Sequence, residues 1–238
     1  MSVKTKINLK PEEQENARLR GDLFTIGSRV THDLLTPLGG IYVSIQLLKD
    51  TLSDAGPAGS LGIDSLLTSA DEIKHILESV SVLAKATARP LPKERVPMQE
   101  IVFGVMEKLE TRISRRGAKV TVADAWPEIE AVPGWVEFIW RSLLSNALQH
   151  GGLNIQLGWT REKTEIRFFV SDNGPGVPPE LRPQIFQTFE SLQGLDSRRG
   201  LGLSVVQRLV DLQSGRCFYD LTLENVSRFS FTLPMNCG

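Results

Sequence analysis

"EIRFFVSDNGPGV", residues 165–177, reads as a strand that ends on a carboxylate and turns at once through Gly-Pro-Gly. Alternation puts Ile166, Phe168 and Val170 on one face, and Asp172 shares their parity. A carboxylate at the core-facing end of an apolar strand is costly unless something pairs with it. An adenine amino group is a suitable partner, with Gly174 and Gly176 letting the backbone approach a base. The plainer alternative is an Asp-Asn-Gly turn that only caps the strand.

The same period of two recurs in "KVTVADAW" (119–126), "LNIQLGW" (153–159) and "SRFSFTLPM" (227–235). Between these strands the pattern lengthens to helical spacing, from Gln99 to about Arg115, over Trp135–His150 and over Leu201–Gln213. The second half is therefore α+β, one sheet covered by helices on one face.

On the helix "VEFIWRSLLSNALQHGG" (136–152), Val136, Ile139 or Trp140, Leu143 or Leu144, and Ala147 turn inward. Ser142, Asn146 and His150 form one polar ridge at steps of four. An Asn side-chain oxygen is a hard donor suited to Mg²⁺ holding a triphosphate, with simple solvation as the alternative. "RRGLGLSVVQRLV" (198–210) opens a helix through Gly200 and Gly202. Backbone N–H groups there offer a phosphate site, near which Arg198 and Arg199 would lie. The preceding "IFQTF" (185–189) and "ESLQGLDSRR" (190–199) give a segment able to close over a ligand.

The first half has another character. Leu23, Ile26, Val30, Leu34, Leu38, Ile41, Ile45, Leu48 and Leu52 step by three or four, one stripe on a helix of about thirty residues. "DAGPAGS" (54–60) breaks it, and a second stripe runs from Ile63 to Leu83. Two long helices with a short loop predict an antiparallel hairpin, whose stripes need a second hairpin to form a dimeric four-helix bundle. "ATARPLPKERVP" (86–97) reads as a linker.

Within the first stripe lies "VTHDLLTPLGG" (30–40). His32 sits about 200° from Val30 and Leu34 and faces away from the stripe, with Thr36 one turn on. Asp33 can accept a hydrogen bond from the imidazole and raise the nucleophilicity of its far nitrogen. Pro37 denies the Asp33 carbonyl its helical donor. The stripe stays in phase beyond Pro37, which predicts a kink and not an end.

"HDLLTPL" resembles the phosphoacceptor box of bacterial sensor histidine kinases. The Asn helix, DNGPGV, IFQTF and GLGL, in that order over about sixty residues, resemble the ATP-binding domain of the GHKL superfamily in its histidine-kinase form. That resemblance implies a hairpin over 21–88 after an N-terminal segment 1–20, a linker at 89–97 and a Bergerat-type α/β sandwich over 98–236. It implies autophosphorylation of His32 from ATP, with Asp33 as base and Thr36 orienting water when a regulator is dephosphorylated. Asn146 would hold Mg²⁺ and Asp172 adenine; His150, Gly174, Gly176, Arg199, Gly200 and Gly202 would complete the ATP site. The partners implied are a second copy of the chain and the receiver domain of a cognate response regulator. The chain departs from the family pattern at Ser142, where Asn is frequent, at Gln149 (Lys) and at Arg198 (Gly). The alternative is a histidine phosphotransfer or scaffold protein with a degenerate nucleotide pocket. A water-activating Glu, as in the hydrolytic GHKL enzymes, is replaced by Ser142.

Bulk properties agree. The 238 residues are 41% hydrophobic and 23% charged with a net charge of −1, which gives no electrostatic footprint for nucleic acid. Cys217 and Cys237 lack metal-ligand spacing and read as free thiols. No run of about 18–20 apolar residues appears. A cytoplasmic chain is the expectation.

Overall fold

The computed structural model describes residues 37, 39–41, 43–44, 73, 75–76, 78–83, 86, 91–186, 201–221 and 226–235. The chain divides into two compact units, residues 1–80 with 189–200, and residues 81–188 with 201–238.

In the first unit the described residues are all helical. Pro37, Gly39–Ile41, Val43 and Ser44 are helical, and the predicted kink, which turns on the residues before Pro37, lies outside the described residues. Pro37 and Ser44 are buried and Val43 faces solvent. Ile76 and Ser79 are buried in the second helical stretch. The Ser79 hydroxyl donates to the carbonyl of His75 at 2.7 Å, which lets a polar side chain sit inside the helical layer. The predicted hairpin loop, and the pairing of hairpins into a bundle, lie outside the described residues.

The second unit is built on a mixed five-stranded sheet of order β2-β4-β5-β7-β6. Its strands are β2 (Lys119–Val122), β4 (Asn154–Arg161), β5 (Glu165–Asp172), β6 (Cys217–Leu221) and β7 (Ser227–Pro234). β2 and β4 run parallel and every other pair is antiparallel. Among the described residues, three helices run within the sandwich of this unit: α1 (Met98–Arg116), α2 (Pro133–His150) and α3 (Gly202–Asp211).

A second, two-stranded sheet joins β1 (Glu94–Pro97) to β3 (Glu128–Ala131). The proline-rich stretch read as a linker up to residue 97 thus ends in a strand. Val96 is 1% exposed and registers opposite Ile129, and burying this pair fixes the backbone that the prolines flank. β6 also escaped the sequence reading, because "CFYDL" shows no clean alternation.

The core centres on Trp140 of α2, fully buried, with its indole N–H directed at the Met98 sulfur 3.0 Å away. Its ring meets Trp126, Phe168 and Phe231 edge-on, with centroids 5.4, 6.0 and 5.4 Å apart. The register sets Phe168 beside Phe231 and Val170 beside both Leu157 and Phe229, so the helix-covered face is a continuous apolar sheet surface. The opposite face is closed by side chains of the sheet itself. The Arg228 guanidinium lies 4.3 Å from the Phe169 ring centroid, and Arg167 lies 4.1 Å from that of Phe218. β5 is consequently buried on both faces, where alternation alone predicted a half-buried strand.

Candidate nucleotide-binding site

Asp172 ends β5 on the helix-covered face and is only 3% exposed. Its Oδ1 accepts the backbone N–H of Gly174 at 2.8 Å and of Gly152 at 3.0 Å. Both bonds fall on one oxygen, which leaves Oδ2 for a ligand donor. The close approach needs glycine on both sides. A Cβ on Gly174 would stand 2.6 Å from the Gly152 nitrogen, and one on Gly151 would stand 2.6 Å from the Asp172 carboxyl carbon. Asn173 extends the same junction, its Oδ1 accepting the Asn154 N–H at 2.9 Å. Gly151 and Gly152 are positions at this junction that the sequence reading passed over. The doublet after "NALQH" was the available signal.

α2 delivers the polar ridge. It starts with Pro133 in its first turn and ends where the Gly151 N–H bonds the Ala147 carbonyl at 2.8 Å. Asn146 is half-buried, and its amide has no hydrogen-bond partner among the described residues. Ser142, one turn earlier, is 4% exposed, and its hydroxyl is buried without a partner among the described residues. His150 closes the helix; burial of its ring and the nearby Arg116 charge hold its pKa below the ordinary value. Arg116 itself donates to the Gly151 carbonyl at 3.0 Å.

Past Asp172 the chain turns through Gly176, which adopts φ +71°. It then runs to a 3-10 turn at Arg182–Gln184 and to Phe186, whose ring meets Phe229 edge-on with centroids 6.1 Å apart. Gly202 opens α3, whose first turn carries no side-chain cap, as a helix start presented to an anion requires. α3 packs against α2, and buried Gln213 just beyond it accepts the Val132 N–H at 2.9 Å.

Of the residues singled out from the sequence, Asp172, Gly174, Gly176, Asn146, His150 and Gly202 all lie in this unit. Asp172 and Gly174 are bonded to each other, and Asn146 and His150 share one helix. Arg198, Arg199, Gly200, His32, Asp33 and Thr36 lie outside the described residues.

The family model of histidine kinase-, DNA gyrase B- and HSP90-like ATPases matches residues 131–236, from the end of β3 past β7. Over 228 residues, 93% of this chain, the sequence is 28% identical to the methanogenesis regulatory histidine kinase FilI of Methanothrix harundinacea (strain 6Ac), covering 25% of that protein. Over nearly its whole length the chain is similar to the catalytic cores of sensor histidine kinases. The chain is also 27% identical over 224 residues to the sensory histidine kinase/phosphatase NtrB of Escherichia coli O157:H7, covering 87% of this chain and 60% of NtrB. It thus spans from a quarter to three-fifths of the length of these relatives. Its fold is like that of histidine kinase ThkA crystallised with the response regulator protein TrrA. The TM-score is 0.67 at 20% identity, over 97% of this chain and 68% of that one.

Proposed function

We propose that this core binds ATP, phosphorylates its own His32 and passes the phosphoryl group to an aspartate of a response regulator. Removal of the phosphoryl group from that regulator is a further activity of the same reading. The observation that carries it is the Asp172 junction, a buried carboxylate held by two glycine N–H groups with one oxygen free. That oxygen suits the exocyclic amine of adenine, and the glycines on either side let a planar base approach the backbone. The rival reading, a phosphotransfer or scaffold protein with a decayed pocket, is not favoured, because this junction is intact.

Mg²⁺ fits Asn146, whose amide oxygen is a hard donor with no other partner among the described residues. Bound there, it would neutralise triphosphate charge. The chain's own residues supply the rest. The α3 N-terminus at Gly202, with Gly200 and Arg199, receives the phosphates, and His150 lines the site from α2. His32 attacks the γ-phosphorus, the bond to the β-phosphate oxygen breaks, and ADP leaves. Asp33 takes the imidazole proton, and Thr36 orients water when the regulator is dephosphorylated. Positioning and charge neutralisation carry most of the rate.

The chain is proposed to act as a homodimer through the helical hairpin and to work in the cytoplasm, where ATP and receiver domains meet it. Among the described residues no helix is long and apolar enough to cross a membrane. Incubation with γ-labelled ATP and Mg²⁺ tests the whole reading. The expected result is acid-labile label on the wild type and none on His32→Gln. Label that persists on the variant refutes the assignment of His32, and phosphate release without labelled protein indicates a simple ATPase.

A further inference from the structure

The loop that follows Asp172 is fastened at both ends. At its start, Asp172 holds Gly174. At its far end both backbone groups of Val177 are taken by side chains from elsewhere. The Val177 N–H donates to the Tyr219 hydroxyl at 2.7 Å, and the Val177 carbonyl accepts from Arg182 Nε at 2.9 Å. The two clamping side chains also meet each other, the Arg182 guanidinium lying 5.9 Å from the Tyr219 ring centroid. Only two residues, Pro175 and Gly176, lie between the anchored Gly174 and Val177.

Tyr219 is well placed for this. It stands on β6 opposite Phe229 of β7, on the helix-covered face, and packs on that ring with centroids 4.9 Å apart. Its hydroxyl fills the space beside Gly176, where an added Cβ would lie 2.8 Å away. Phe186 packs edge-on against the same Phe229. A substituent of β6 therefore reaches across the sheet face to the turn that carries the nucleotide carboxylate.

We propose that Tyr219 and Arg182 are positioning residues for the nucleotide-binding loop 172–177. They keep it in its binding shape before ATP arrives, an assignment that rests on the nucleotide-binding reading above. A loop already ordered loses less entropy when it closes on a ligand, so the clamp acts on affinity. Tyr219→Phe removes the hydroxyl alone and leaves the ring on Phe229.

The test measures the Kd for a non-hydrolysable ATP analogue with Mg²⁺ by calorimetry on the full chain, and the exchange rate of the Val177 amide by NMR. Tyr219→Phe should weaken binding about fivefold, the equivalent of one ordinary hydrogen bond, and speed Val177 exchange. Arg182→Gln should do the same. The double variant should be worse by less than the product, since both side chains act on one peptide unit. Faster Val177 exchange with a wild-type Kd in Tyr219→Phe makes the contact merely structural and overturns the proposal. Failure of the wild type to bind the analogue overturns the nucleotide reading itself, and the clamp with it, before any variant is compared.

Discussion

At the scale of single residues, the strongest constraint is the donor and acceptor count at Asp172. Replacing it with Asn keeps an oxygen for the Gly152 and Gly174 N–H groups but puts an NH₂ where the free carboxylate oxygen stood. Two amino groups then face each other across the proposed adenine contact. Asp172→Asn should keep its far-UV circular dichroism and lose ATP affinity by at least about tenfold, measured by calorimetry. His150 makes a pH prediction. Its folded pKa lies below 6.5 because burial and the Arg116 charge oppose the imidazolium. Between 6.5 and that lower value the unfolded chain binds more protons, so stability falls as pH drops through this window. Urea unfolding at pH 7.5 and 5.5, compared with His150→Gln, should show a pH slope that shrinks in the variant.

At the scale of elements, helix ends and loop ends are joined by single side chains. Gln213 is 1% exposed; its Oε1 accepts the N–H of Val132 before α2, and its Nε2 donates to the Leu209 carbonyl of α3. It thus ties the start of one helix to the end of another. Gln213→Leu leaves the Val132 N–H buried without a partner and should destabilise by about 1–3 kcal/mol, read from urea denaturation. The helices themselves were legible in the sequence to within two residues at each end, because Trp140, Leu144 and Ala147 follow a helical period strong enough to override local detail. Strands β1 and β6 were not. Four residues such as "ERVP" carry too short a pattern, and the pairing of β1 is decided by partners 31 to 37 positions away, Glu94 with Ala131 at the extreme.

At the scale of the whole molecule, the proposed assembly follows from the hairpin stripes that a single copy cannot cover. Sedimentation equilibrium should give twice the 26.4 kDa chain mass. Charged substitutions at both Leu34 and Leu38 should return it to one chain mass; a wild-type monomer at micromolar concentration would contradict the bundle. The second unit does not depend on that assembly for its core, since Trp140, Met98, Phe168 and Phe231 are buried within the unit.

The sequence by itself determined the α+β character of the second half, the three helices of that half, the central strands and the carboxylate at the end of β5. Each rests on local periodicity or on a residue type that is costly in the wrong place, and such signals are written in consecutive residues. Only the tertiary structure decided what holds that carboxylate. Gly152 arrives from the far end of α2, twenty positions away, and Tyr219 reaches Val177 from forty-two positions downstream. It also decided that β5 is buried on both faces, because Arg228 of a neighbouring strand lies over Phe169. Contacts of this kind depend on which strands the chain sets side by side, and no window of neighbouring residues contains that choice.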